Sequence, residues 1–379
     1  MHLSGIIKEH SLFILSVILF GSLQIAKQDY PMNFLINEDR SPREVRVISY
    51  PQYKGVGQEF YVQLNNTGFN QKIKVITKLD KEIHVDDKLI IEGRVKLNSI
   101  TRVGFVTDPL IIEHKKGEGI LYEISRFRSD LLKTIHKNWH GQNAALFSGL
   151  LIGADYDYSP KVIERFKNTL TMHILVVSGF NIEFLHGSIM RLSVLFGRKK
   201  TYLISMFIMV FYCLIVGIDN IPCQRAFIMT FISIFTKLIQ RRVQKFQIWG
   251  LALMVLLILN PHNANEISLQ LSFLASAGMI CAGYIKKIFK PNWLIEGLIA
   301  NLLCNVFVLP IIIRFGNAPT LGSLIANILI APLIPLVITS GLLAIISSLF
   351  LIPSAGLFNL ITDLQLDMIF FIVGIANII

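Results

Sequence analysis

Residues 173–180 read His-Ile-Leu-Val-Val-Ser-Gly-Phe, a histidine and a Ser-Gly step set inside an otherwise apolar stretch. A polar group in hydrocarbon is costly unless it is paired or faces a wet cavity, so polar residues within a span point to a pathway. His173, Ser178, Gly179 and, just beyond, Asn181 are therefore the first candidate site residues. Apolar stretches of similar kind recur to the last residue, and the fold class that follows is an α-helical multispan membrane protein.

Composition supports this reading. Of 379 residues, 53% are hydrophobic and only 16% are charged, too apolar a balance for an ordinary soluble domain. The net charge of +11 would suit nucleic acid or anionic lipid, but much of it lies in short loops between spans, where topology alone requires it. The four cysteines, Cys213, Cys223, Cys281 and Cys304, lack the close spacing of a zinc knuckle or redox pair and read as packing residues. Cys213 and Cys223 straddle one hairpin turn, where a disulfide is conceivable. His136 and His140 stand at i, i+4, but Lys-Asn-Trp between them lacks the Glu of the zinc-protease motif, so no metal and no cofactor is expected. No Walker-type phosphate loop occurs either, so energy for transport would come from a partner.

Four divisions emerge along the chain. Residues 1–28 carry an apolar run, Ser11 to Ala26, that reads as a retained transmembrane helix, with a cleaved signal peptide as the alternative. Residues 30–118 are polar and contain four alternating runs, Glu44–Tyr50, Glu59–Leu64, Lys72–Thr77 and Lys88–Val95, which predict a small β-rich, OB-like domain outside the membrane. Residues 119–160 form an amphipathic helical linker. Its Ile120, Ile124, Phe127, Leu131 and Ile135 share one face while Arg126, Arg128, Lys133 and Lys137 lie on others, which fits a helix on a membrane surface or one packed under the β domain. Ala144 to Gly153 is half a bilayer long and suits an interfacial dip. Residues 161–379 hold the crowded spans, giving eight to ten in all, with Pro332 and Pro335 breaking the stretch 321–350.

Basic loops at Arg198-Lys199-Lys200, Arg241-Arg242 and Lys286-Lys287 alternate with loops that have none, which places the basic loops and the N-terminus in the cytoplasm and residues 30–160 outside. Other candidates on the path are Arg225, at the mouth of a span, and Gln270 and Ser272 within an apolar run. Asn327, before the Pro332 break, is expected to satisfy freed carbonyls. In the OB-like segment, alternation along the run from Glu59 puts Phe60 in the core and Tyr61 outside, so Tyr61 is the stacking candidate, with Lys72, Lys74 and Arg94 as cations guiding single-stranded DNA.

In order along the chain, Gly149-Leu-Leu-Ile-Gly-Ala-Asp155, Ser159-Pro160, His173-Ile-Leu-Val-Val-Ser-Gly179, Gly217 to Arg225-Ala226, Ser268-Leu-Gln-Leu-Ser-Phe-Leu274, Leu309-Pro310 with Phe315-Gly316, and Ala326-Asn327-Ile-Leu-Ile-Ala-Pro332 resemble the competence domain of the ComEC family of DNA-uptake channel proteins. The resemblance implies an inner-membrane channel component that passes single-stranded DNA into the cytoplasm during natural transformation. It implies a DNA receptor and a cytoplasmic motor or helicase as partners, a separate nuclease, the lipid bilayer, and a homo-oligomer as a further possibility. Two departures stand out. Asn181 occupies a position where the family usually has a second histidine, and no His-x-His-x-Asp-His string occurs in these residues, so neither the family's metallo-β-lactamase-like domain nor enzymatic activity is expected of them. Two other functions are consistent with the residues: a secondary transporter for a small solute, and a truncated family member that no longer transports, against which stands a split but functional protein.

Overall fold

The structure, a computed structural model, describes residues 42–54, 57–64, 72–78, 82–97, 104–154, 158–217, 220–259, 264, 266–289, 292–314, 320–350, 352 and 354–378. The expected N-terminal helix within 1–28 lies outside them. The chain divides into two compact units, one formed by Gln28–Tyr158 with Leu214–Asp219, the other by Met1–Lys27, Ser159–Cys213 and Asn220–Ile379.

The first unit is built on a half-barrel sheet of eight strands: β1 (Arg43–Val47), β2 (Gln52–Lys54), β3 (Gly57–Leu64), β4 (Lys72–Thr77), β5 (Lys88–Glu92), β6 (Lys96–Leu97), β7 (Gly104–Thr107) and β8 (Leu110–Lys115). Their order is β6-β7-β4-β3-β1-β5-β8, with β2 paired to β3. The four alternating runs are present as β1, β3, β4 and β5. The additional strands are short or lack alternation: β6 has two residues and β8 exposes both Leu110 and Ile112. A period cannot be read from so few positions. Inward residues of successive strands, among them Val45, Val47, Phe60, Val62, Ile73, Val75, Leu89 and Val106, close one apolar core.

Helix α1 (Ile120–Asn138) packs against this sheet unit. The Val85 amide donates to Ser125 Oγ at 3.0 Å, and the rings of His84 and Tyr122 meet edge to face with centroids 5.4 Å apart. The Lys133–Glu82 pair at 2.6 Å is more than half exposed at both ends and adds little stability, although Lys133 does hold the Glu82 carboxyl below its ordinary range. Only part of the apolar stripe is buried: Ile124 and Ile135 are inside, while Ile120 and Phe127 stand exposed.

Arg128 departs from the expected solvated face. It is buried and donates from Nη1 to the carbonyls of Ile152, Ile215 and Val216, with its guanidinium 4.5 Å from the centre of the Tyr50 ring. Three helix-end carbonyls lack intrahelical partners, and one planar cation with several donors satisfies them together. Helix α2 (Gly141–Ile152) is likewise buried from Ala144 to Ile152 and is not the expected interfacial dip. It stops at Gly153, whose φ of 65° is left-handed and lets its amide reach back to the Gly149 carbonyl. Phe147 of this helix packs against Trp139 with ring centroids 4.7 Å apart.

The second unit is helical: α3 (Pro160–Asn168), α4 (Gly179–Arg191), α5 (Ser193–Phe196), α6 (Arg198–Val216, of which the last residues count with the first unit), α7 (Ile221–Leu238), α8 (Lys245–Leu259), α9 (Ile267–Phe289), α10 (Trp293–Arg314), α11 (Leu321–Ile330), α12 (Leu333–Leu349) and α13 (Ala355–Ala376). Five stretches among the described residues are long and apolar enough to cross a membrane: Arg198–Val216, Ile267–Phe289, Ile295–Arg314, Leu321–Leu349 and Ala355–Ala376. This is fewer than the eight to ten expected. The stretch 172–196 is divided into a 3-10 turn (Met172–Ile174), α4 and α5, and at 13 residues α4 is about 20 Å long against a core of about 30 Å. Helix α8, at 15 residues, is short as well, and α7 carries Arg225 and Lys237. The break expected near Pro332 separates α11 from α12. Asn327 bonds the Ser323 carbonyl of its own helix at 2.8 Å, and not a carbonyl freed by the break, because an amide at i+4 reaches its own turn first. The four cysteines are free; Cys213 and Cys223 sulfurs lie 3.5 Å apart without a disulfide.

Helix packing in this unit relies on small residues. A Cβ on Gly278 of α9 would lie 2.8 Å from the Leu303 carbonyl oxygen of α10, so the two backbones touch there. Large apolar side chains such as Phe207, Leu302 and Phe371 point outward, where lipid solvates them.

Removing Arg128 leaves three buried carbonyls without their donor, whereas neighbouring Arg126 is exposed. Arg128→Ala is expected to destabilise the first unit by about 3 kcal/mol and Arg126→Ala by about 0.5 kcal/mol or less, read from the unfolding midpoints of the purified chain in detergent.

Candidate nucleic-acid path and interface

The Ser-Gly step does interrupt the helix. The backbone leaves the 3-10 turn after Ile174 and runs through Ser178 in extended conformation (φ −99°, ψ 161°), and α4 begins at Gly179. Ser178 makes no side-chain cap bond; its carbonyl accepts from the Asn181 amide at 3.2 Å. Gly179 lies close under α7: a Cβ there would meet the Arg225 guanidinium and stand 3.2 Å from the Ala226 Cβ. The start of α4 thus lies directly on the Arg225-Ala226 pair.

Arg225 extends from there to α9, where Nη1 donates to the Ser272 carbonyl at 3.1 Å. Its Nε is buried and has no hydrogen-bond partner among the described residues, while Glu183 on α4 faces it electrostatically. Asn181, also buried, donates to the Tyr212 hydroxyl of α6 at 3.0 Å. Ser178, Gly179, Asn181, Arg225 and Ser272 are therefore gathered where α4, α6, α7 and α9 meet. Tyr212 joins them; a tyrosine in an apolar span keeps a polar tip that needs a partner, and that was the available signal. His173 lies in the 3-10 turn with an exposed side chain. Gln270 is turned elsewhere, its Nε2 donating to the Ala264 carbonyl at 3.0 Å and closing the loop before α9.

On the β unit, register aligns a row across four strands: Tyr61 of β3 opposite Lys74 of β4, Lys74 opposite Phe105 of β7, and Phe105 opposite Lys96 of β6. Residues paired across strands share a face, so this row alternates aromatic and cation on the side away from the core. Phe60 is buried and Tyr61 is 37% exposed, as alternation requires. Lys74 is partly neutralised by Glu59 at 2.8 Å, whereas Lys96 is exposed and has no ion pair among the described residues. Arg94 is exposed but belongs to no strand, and Lys72 pairs with Gln63 in the backbone while its side chain lies outside the described residues. Phe105 and Lys96 are among the aromatic and basic residues the sequence offers in this segment, but their place in the row follows only from the pairing of the short strands β6 and β7. Among the described residues no group of His, Cys, Asp or Glu is placed to hold a metal.

A multi-pass membrane protein with a polar seam at an interrupted helix and an appended β unit is the class these features define. Its family follows from comparison: residues 150–378 match the family model described as "Competence protein", and the chain belongs to that family, the ComEC family of competence proteins. ComE operon protein 3 of Bacillus subtilis (strain 168) is 23% identical over 241 residues, covering 63% of this chain and 31% of that protein. The match thus spans about a third of the relative's length. No solved structure matches the chain.

The contact of Gly179 with Arg225 makes the two positions interdependent. In a double-mutant cycle on thermal unfolding, Gly179→Ala and Arg225→Ala are expected to couple by about 1 kcal/mol or more, the added methyl costing less once the guanidinium is gone. Strict additivity would show that Arg225 yields freely to the methyl.

Proposed function

We propose that this chain is a component of an inner-membrane conduit that passes single-stranded DNA into the cytoplasm during natural transformation. Membership in the competence family carries the coarser role, a part in DNA uptake by a multi-pass membrane protein. The observation that supports the finer one is Arg225: a guanidinium inside the helical unit, at the interrupted helix, with a buried Nε donor unspent. An unsatisfied buried donor is expensive, and a phosphate oxygen of a passing strand is an acceptor it fits. A small-solute carrier would be better served by charges fully paired around an occluded site.

The basic loops then face the cytoplasm and the β unit faces outward, where the Tyr61–Lys74–Phe105–Lys96 row meets incoming single strand by stacking and charge. The conduit is not itself an enzyme in this reading; a receptor, a motor or helicase and a separate nuclease complete the pathway, with a homo-oligomer as one way to close the channel.

In a transformable host, deletion of the gene is expected to abolish entry of labelled DNA into the cytoplasm, and Arg225→Gln to lower entry by roughly tenfold or more while surface-bound DNA is unchanged. Unchanged entry in the deletion strain overturns the proposal.

The β-unit surface generates a separate expectation for the purified chain. Tyr61→Ala is expected to weaken single-stranded DNA binding by roughly fivefold or more, and Lys96→Gln to reduce the slope of log K against log salt by about 0.7, both measured by fluorescence anisotropy. Binding indifferent to both would move DNA recruitment to another protein.

A further inference from the structure

At one end of the helical unit, Arg198, Lys199 and Tyr202 of α6 and Lys237, Leu238, Gln240, Arg241 and Arg242 at the end of α7 enclose a pocket of about 390 Å³. Five cations line it and no carboxylate does. None of the five has an ion-pair partner among the described residues. Loop charge of this sign is ordinary at membrane surfaces, but convergence on one concavity is not required by topology.

The pocket is also held in shape. Helix α7 ends in a Schellman turn: Gln240 has φ 56°, its amide donates to the Lys237 carbonyl, and the Arg241 amide reaches back to Thr236. That turn fixes where Arg241 and Arg242 depart. The Tyr202 ring lies parallel to His186, with centroids 6.3 Å apart, and Lys237 Nζ is 5.8 Å from the ring centre. His186 is anchored in turn by Ser205 at 2.7 Å. The first turn of α6 has no acidic residue and three basic ones, opposite to what the helix dipole favours, so the cations there repel until an anion joins them.

Toward the middle of the same two helices, Leu203, Phe207 and Phe235 stand exposed. A cationic recess bordered by a tyrosine, at the end of two helices that expose apolar side chains, has the chemistry to take the headgroup of a lipid. A nucleic-acid strand would need a polar track onward and an open aromatic face; here Leu203 and Phe207, which follow Lys199 on its own side of α6, are apolar, and Tyr202 is already engaged by His186 and Lys237. We propose that this pocket binds one anionic glycerophospholipid, its phosphate among Lys199, Lys237, Arg241 and Arg242 and its acyl chains along the exposed apolar side of α6 at Leu203 and Phe207, one and two turns on from Lys199. The inference does not depend on what the protein conducts.

Native mass spectrometry of the detergent-purified full chain tests it, with phosphatidylglycerol and phosphatidylcholine of identical acyl chains as probes. One phosphatidylglycerol is expected to remain bound under conditions that strip phosphatidylcholine. Arg241→Gln and Arg242→Gln should each weaken retention by roughly fivefold, from about 1 kcal/mol per cation near an anionic headgroup. The lysine variants at the same positions should restore it, and Lys286→Gln with Lys287→Gln, in another basic loop, should leave it unchanged. Equal retention of the two lipids, equal loss in the control loop variant, or displacement of phosphatidylglycerol by an equimolar oligothymidylate would each overturn the assignment.

Discussion

Within hydrocarbon a backbone that leaves the helix must find partners in the protein or in water, and the arrangement around residues 175–178 follows from that constraint. The chain gives up helical bonding before Gly179, and α7 crosses at that point closely enough that a methyl there would have to displace the Arg225 guanidinium. What α7 brings is an arginine. Its bond to the Ser272 carbonyl links the interruption to α9, and Asn181 links it to α6 through Tyr212. Four helices are thus tied by polar contacts at the place where the apolar packing is interrupted, and the remaining Nε donor gives this seam its functional reading.

The β unit applies the same economy differently. Its core is closed by alternation, and the outward row of aromatic and basic residues is a by-product of pairing register and not of any single strand. Each strand supplies one residue of the row; the pattern exists only once β3, β4, β7 and β6 are side by side.

That contrast explains what could be read in advance. Tyr61 and Phe60 were assigned to opposite faces from period two alone, and the Ser178-Gly179 break from a polar step in an apolar run, because both are local signals. The burial of Arg128 was not legible: its partners are carbonyls at Ile152, Ile215 and Val216, and backbone acceptors leave no trace in a sequence. The apolar setting of Gln270 groups it with the path, yet its amide serves the loop at Ala264. Helix α2 illustrates a further ambiguity, since a ten-residue apolar run looks alike whether it is solvated by lipid or by protein.

The contact at Gly278 has a mechanical consequence. Where two helices meet backbone to backbone, as α9 meets α10 at Leu303 and Cys304, neither can slide along the other without driving a bulkier residue one turn away on the same face, Leu274 or Cys281, into the gap that glycine leaves. The pair therefore translates and tilts as one stiff plate. Any widening of the seam beside Arg225 must then be taken up by elements that lack such a lock, and the chain offers two joints for it: the extended step before α4 and the two-residue turn between α11 and α12.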